Sequence, residues 1–311
     1  MTHAVGVVGL GVMGSRMAQA LARHPGFKPT HGWDLDARRR DAFKQAHPDA
    51  EVAPPAEWVA RVDAVYIATP PATHPELVRQ AAAAGAGVFC EKPLAVDVDD
   101  ARRAVAEAAR VPNAINFPFA AAPAVAALEG LVRAAGAPRR VEVQFHFAQW
   151  PRAWQHEAAG WLAGREQGGF TREVFSHFAY LTRRLCGPCA VRWARVRHPD
   201  DAARAETHVL AELACGEVPV TVVGGVGGAA PDFNAWTLYG EAGSARLQDW
   251  GRVFSGDAEG WTEVEPSVKE PFPLAGQLDA LDRTLAGAPA LPDLPEGLHL
   301  RVLGEAQLQG T

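Results

Sequence analysis

The run Gly9-Leu10-Gly11-Val12-Met13-Gly14 restricts the fold of this chain more than any other stretch. It follows a continuous apolar segment, residues 4–9, and opens a helical one, SRMAQALARH, which Pro25-Gly26 closes. A buried strand ending in glycine and turning at once into a helix predicts a β-α-β unit in a parallel sheet. The three glycines of G-x-G-x-x-G have separate tasks. The first makes a tight turn, the second lets backbone approach a pyrophosphate, and the third brings helix close to strand. The N–H groups of the first helical turn, at Val12 and Met13, then face the phosphates with the positive end of the helix dipole. Asp34 ends a second predicted strand, THGWDL, 20 residues after Gly14. That is the spacing of an acid that binds the adenosine 2′-hydroxyl, so the motif is more than a glycine-rich turn. A carboxylate there repels a 2′-phosphate and favours NAD. The adjacent Arg38, Arg39 and Arg40 keep NADP as a second candidate, and Arg38 is taken as a cofactor contact.

The alternation continues through the first third of the chain. A charged helical segment (ARRRDAFKQAH) precedes a strand at residues 63–68, a helix THPELVRQAAAAGA follows, and GVFC forms another strand. Strands separated by helices of this length predict right-handed crossovers and a doubly wound parallel sheet. Beyond residue 118 the rhythm changes. After the helix PAVAALEGLVRAAG, the segment VEVQFHFA alternates apolar and polar, and VRWARVRH, THVLAELACG, VPVTVVGG, AWTLYGE and SARLQDW follow with short turns. This predicts an open, mostly antiparallel sheet with helices at 172–185, 277–286 and 297–308. The expected architecture is therefore α/β: a Rossmann domain at 1–118 and an α+β substrate-binding and oligomerisation domain at 119–311. A length of 311 residues suits two cores.

A formal charge of −6 argues against nucleic acid or an anionic membrane as the main partner. The start MTHAVGVVGLG lacks a signal-peptide pattern and no apolar run is long enough to span a bilayer, so the expected compartment is the cytoplasm. Four cysteines are not a disulfide scaffold, and a reducing environment is the expectation. Cys186-Gly-Pro-Cys189 spells a redox pair, but Cys186 stands at the wrong end of a helix for an activated thiol. Gly187-Pro188 reads instead as a helix stop. No metal site is expected.

Two further motifs carry chemistry. "FCEKPL", residues 89–94, ends a buried strand in an acid, a base and a proline, where open α/β sheets bind ligands. Gly168-Gly169 leads into Arg172, Glu173, Ser176 and His177, with Glu173 and His177 one helical turn apart. Taken with GLGVMG and ATPPATH (68–74), these motifs resemble the Gfo/Idh/MocA family of NAD(P)-dependent oxidoreductases, in order over nearly the whole chain. The resemblance implies that Lys92 and His177 act on substrate, with Glu173 orienting one of them. It implies that Glu91, Lys92, Thr69, Pro70, Pro71 and His74 lie along the cofactor, and that Pro93 fixes the Lys92 backbone through a cis bond. Asn116, Arg172, Lys92 and His177 are the expected substrate contacts.

This chain departs from the family pattern in four places. Glu173 stands for the usual Asp, Phe175 for Gly, Tyr180 for an Asp often found three residues past the histidine, and Pro118 in Asn116-Phe117-Pro118-Phe119 for an arginine. Arg172 or Arg152 is a candidate for the missing cation, and Trp150, Trp154 and Trp161 for the wall of a pocket. The implied activity is hydride transfer between nicotinamide and a hydroxyl or carbonyl carbon of a sugar, polyol or cyclic small molecule. Trans-dihydrodiol oxidation, C=N or C=C reduction, and a non-catalytic ligand sensor are the alternatives. Strand VPVTVV, apolar on both sides, predicts a homo-oligomer, most simply a dimer packed sheet to sheet.

Overall fold

The computed structural model describes residues 2–265 and 270–309. Two compact units emerge. One runs to Phe117 and adds Leu274–His299; the other is Pro118–Pro273 with the residues from Leu300.

The first unit contains β1 (His3–Val8), α1 (Val12–Arg23), β2 (Phe27–Trp33), α2 (Ala37–Ala46), β3 (Glu51–Val52), β4 (Ala64–Ile67), α3 (His74–Ala83), β5 (Gly87–Glu91), α4 (Val98–Ala108) and β6 (Asn113–Asn116). Its strands are all parallel, in the order β3-β2-β1-β4-β5-β6. Val5, Val7 and Val8 of β1 are buried, as are all four residues of β4, because helices cover both faces. In α1 the buried Gly14, Met17, Ala18 and Leu21 recur at helical spacing. Strand order reverses at β1, so the carboxyl ends of β1, β2, β4 and β5 deliver Gly9, Asp34, Thr69 and Lys92 to one edge of the sheet.

The second unit begins with α5 (Pro123–Ala134) and β7 (Pro138–Phe147), then α6 (Ala159–Leu162) and α7 (Ser176–Cys186). Seven strands follow: β8 (Cys189–Arg197), β9 (His208–Cys215), β10 (Val218–Val226), β11 (Phe233–Gly240), β12 (Ser244–Gln248), β13 (Arg252–Gly256) and β14 (Trp261–Val264). They form one sheet in the order β14-β13-β12-β11-β7-β10-β9-β8, antiparallel except for the parallel pair β7–β10. Val141, Val143, Phe145 and Phe147 point to the covered face. On the core side the Trp236 indole donates to Thr182 Oγ1 at 2.9 Å, satisfying both buried groups.

Three sequence expectations need correction here. The first concerns the last helices, α8 (Leu274–Leu285) and α9 (Leu294–Gln309). A single cut after residue 118 assigns both to the second domain, yet Leu274–His299 packs with the first unit. Leu278 and Leu281 are buried there, His24 contacts Asp279 at 3.1 Å, and Asn113 Oδ1 accepts the Leu294 N–H at 2.9 Å. A return of the chain over so many residues leaves no local signal in the sequence.

The second concerns β10. It is not apolar on both sides: Val220 and Val222 are buried, whereas Thr221 and Val223 are exposed. Its open face is shared with Glu142 and Gln144 of β7 across the parallel pairing. The third concerns the cysteines. Cys189 and Cys215, opposite each other on β8 and β9, form a disulfide with Cα atoms 4.1 Å apart. Cys186 stays free, and burial pushes its thiol up to about 11. No helix among the described residues is long and apolar enough to cross a membrane.

Candidate active site

The nucleotide turn is built around backbone contact. Gly9 has φ of +88°, and a Cβ on Gly14 would overlap the Gly9 carbonyl oxygen. Glycine at both positions lets α1 start directly against the end of β1. Asp34, its side chain 11% exposed, accepts the Leu10 N–H at 2.8 Å and the Asp36 N–H at 2.9 Å. Its carboxylate is thus fixed beside the turn. Among the three arginines, the one beside Asp34 is Arg39 rather than Arg38. Arg38 is 92% exposed and pairs with Asp36, the N-cap of α2, while Arg39 Nη1 lies 3.5 Å from Asp34 Oδ2 and next to Gly11. Arg40 stacks on Trp33 at 4.7 Å.

The loop after β4 and the turn after β5 are held together by His74. This residue is fully buried, with Nδ1 3.0 Å from the Pro93 carbonyl and Nε2 2.7 Å from the Thr69 carbonyl. Burial lowers its pKa, although the backbone carbonyls favour the charged form. Such an imidazole cannot reach a ligand. Its expected place on the cofactor is corrected to that of a clamp between Thr69 and the Lys92–Pro93 turn. Of the other loop residues, Pro70 is exposed, Thr69 is half-buried and Pro71 is buried.

Glu91 is anchored from two sides. The Tyr66 hydroxyl donates to its Oε1, and Asn116 Nδ2 donates to the same oxygen at 2.7 Å. Burial and the Glu91 carboxylate hold the Tyr66 phenol well above its usual range, so it remains a donor. Asn116 is 1% exposed; its Nδ2 is engaged by Glu91, while its Oδ1 has no hydrogen-bond partner. Lys92, half-buried, follows at the end of β5 and joins Pro93 through a cis peptide bond.

In the second unit, Gly169 has φ of +95° and packs on the Glu206 carboxylate, where a Cβ would collide. Glu206 is 2% exposed and its Oε1 accepts the Thr171 N–H at 2.7 Å. From there Thr171–Phe175 forms a π-helical turn leading into α7. Turns of this kind are wider than an α-turn and are common at functional sites. Gln155 Nε2 reaches Glu173 Oε1 at 3.5 Å, and His177 meets the Trp250 indole edge-on at 5.8 Å and Phe119 at 6.1 Å.

Trp250 is placed by unusual backbone. Asp249 and Trp250 have φ of 47° and 68°, a region that non-glycine residues seldom enter. The buried Asn234 holds both: its carbonyl accepts the Asp249 N–H at 2.9 Å and its Oδ1 the Trp250 N–H at 3.1 Å.

Arg172, expected on the substrate, is engaged elsewhere. Its Nε donates to Glu305 at 2.8 Å, and its Nη1 to the Arg165 and Gly168 carbonyls at 2.6 and 2.9 Å. Burial raises the Glu305 pKa, but Arg172 and Arg301 beside it outweigh this and leave it below the usual range. A depressed carboxyl adds stability above its unfolded pKa and loses it as pH falls through the folded value. Glu305→Gln should therefore lower Tm near neutral pH and flatten its fall below about pH 4.5, read by thermal melts across pH.

Arg152 has a different setting. Its guanidinium lies 4.8 Å from the Trp154 ring, 5.3 Å from Phe147, and 5.8 Å from both Trp150 and Trp250. Burial lowers its pKa, while Glu173 and Asp232 favour the charged form.

Residues 3–117 match the Gfo/Idh/MocA family model, described as an oxidoreductase family with an NAD-binding Rossmann fold. Over these residues the chain is similar to the Gfo/Idh/MocA family. Inositol 2-dehydrogenase of Acidiphilium cryptum is 41% identical over 113 residues, 34% of this chain and 33% of that enzyme. An inositol 2-dehydrogenase of Saccharopolyspora erythraea is 37% identical over 123 residues, 38% of this chain and 36% of the relative. The chain thus spans about a third of the length of the curated relatives it matches.

Solved structures extend the likeness of fold to the whole chain. An Agrobacterium radiobacter oxidoreductase, solved with NAD+, L-tartaric acid and magnesium, has a TM-score of 0.85 at 19% identity, covering 99% of this chain and 96% of that one. KijD10, a 3-ketoreductase from Actinomadura kijaniata solved with NADP and TDP-benzene, has a TM-score of 0.84 at 20% identity, covering 100% and 98%.

Sequence reading missed Trp250, Asn234 and Glu206. The Gfo/Idh/MocA motifs name neither Trp250 nor Asn234. The one available signal was Asp249-Trp250-Gly251 after a strand, a turn spelling that carried no hint of a site. Glu206 lies in a loop 35 residues from the N–H it accepts from.

Proposed function

We propose that this protein is an NAD-dependent oxidoreductase that moves a hydride between nicotinamide and a hydroxyl-bearing carbon of a small polyhydroxylated molecule. The observation that carries the reading is Asp34: a carboxylate fixed by the Leu10 and Asp36 N–H groups beside a G-x-G-x-x-G turn. It is supported by the family match over the same residues and by the inositol dehydrogenase relatives. In this reading Gly9, Gly11, Gly14 and the first turn of α1 hold the pyrophosphate, and Asp34 accepts from the adenosine ribose. NAD supplies the hydride-accepting ring when bound. His177 takes the hydroxyl proton, an imidazole being suited to proton transfer near neutral pH. Lys92 is the proposed cation for negative charge developing on a substrate oxygen. Glu173 keeps its proposed role of orienting Lys92 or His177.

Asp34 gives the test. A charge-assisted hydrogen bond contributes about 1.5–3 kcal/mol, so Asp34→Ala should weaken NAD binding roughly 10- to 100-fold. Arg39, relieved of its carboxylate partner, should then improve NADP binding. Titration of both cofactors reads the result. Unchanged NAD affinity in Asp34→Ala would overturn the cofactor assignment.

A further inference from the structure

The Arg152 guanidinium stands in a box of four aromatic rings, half-buried, with one edge committed and the other not. Its Nε donates to Gln155 Oε1 at 3.2 Å, and Gln155, 4% exposed, also accepts the Arg152 backbone N–H at 3.1 Å. That fixes the plane of the group. Among the described residues no carboxylate lies within 4.0 Å of it, in contrast to Arg172, Arg184 and Arg252, each paired with a glutamate. Glu173 and Asp232 are near enough to favour its charge without pairing with it. Asp232 accepts the Ala148 N–H at 3.0 Å. The remaining donors are the two Nη groups, a planar fork whose geometry matches a carboxylate bidentately. Trp150 and Trp154 keep part of the surrounding water away, which strengthens an ion pair formed there. The Trp250 indole lies 5.8 Å from this guanidinium and 5.8 Å from the His177 ring, so the cation and the imidazole flank one side chain.

We propose that Arg152 is the anchor for a carboxylate on the substrate, and that the natural substrate is a hydroxy acid of the aldonate or uronate type rather than a neutral polyol. This rests on the proposed oxidoreductase function for the reaction, but not for the binding. Arg172 is taken by Glu305, which leaves Arg152 as the candidate for a cation on the substrate. A carboxylate on the fork leaves the hydroxyl carbons of the same chain or ring extending along Trp250 toward His177.

The test pairs acids with neutral counterparts: gluconate and glucuronate against sorbitol and glucose. Reduction of NAD is followed by absorbance, and ligand binding separately by calorimetry on wild type, Arg152→Gln and Arg152→Lys. The wild type is expected to bind the acids at least about 10-fold more tightly than the neutral compounds, and Arg152→Gln to lose about 10- to 100-fold of acid affinity. Arg152→Lys, which keeps the charge but not the fork, should fall between them, with thermal melts confirming that each variant is folded. Equal binding of acid and neutral ligands, or acid binding unchanged in Arg152→Gln, overturns the proposal. Arg152-dependent binding of acids without reduction of NAD or NADP would uphold the anchor and sink the proposed reaction. Turnover of neutral polyols with no acid preference would do the reverse.

Discussion

His177→Ala is expected to lower kcat by roughly 10²–10⁴-fold while leaving the affinity for NAD unchanged, and Lys92→Ala to do the same. The two effects have different physical origins. The His177 ring sits edge-on to Trp250 and Phe119, which restrict its orientation and exclude water from two sides. Removing it takes away a proton acceptor, so the acid limb of the pH–rate profile that an imidazole base produces should vanish with it. Lys92 ends β5 on a turn that His74 ties to the Thr69 carbonyl. In the proposed mechanism its loss removes the cation that stabilises a developing oxyanion, so kcat should fall without loss of the pH limb. Steady-state kinetics with cofactor titration separate the two cases. Near-wild-type turnover in both variants would end the assignment of roles.

Gly14→Ala should be as damaging by another route. A methyl group there meets the Gly9 carbonyl oxygen, which is backbone and cannot turn aside as a side chain can. Overpacking of this kind costs about 1–3 kcal/mol where atoms can relax. Here relief requires α1 to move off the end of β1, taking the Val12 and Met13 N–H groups out of register with the phosphates. NAD affinity is expected to fall at least about 100-fold, together with Tm. Calorimetric titration and a thermal melt read both effects. Retained NAD binding would show that the pyrophosphate does not lie on this turn.

The contrast between these sites shows what a sequence exposes. The nucleotide turn was legible because its requirements are local: three glycines, one helix start and an acid at fixed distance all lie within 26 residues. The strand that ends in Glu91-Lys92-Pro93 was legible for the same reason. What failed depended on contacts distant along the chain. His74 has the residue type of a ligand contact, yet it is engaged by two backbone carbonyls. Arg172 looked available until Glu305, 133 residues later, was seen against it. Conversely, Arg152 and Trp250 carry no motif, and only the packing of β7, the following loop and the β12–β13 turn brings their side chains together. The break in rhythm near Pro118 was visible, but the return of Leu274–His299 to the first unit was not.

Hydride transfer itself is the claim on which the rest depends, and isotope transfer measures it directly. Substrate carrying deuterium on its hydroxyl-bearing carbon, incubated with the wild-type protein and NAD, should place one deuterium on the nicotinamide ring, detected by mass spectrometry of the reduced cofactor. The same label should fail to move with His177→Ala over an equal time. Tight NAD binding with no deuterium on the cofactor from any member of an acid and polyol panel would contradict the account and leave a dinucleotide-binding protein without this chemistry.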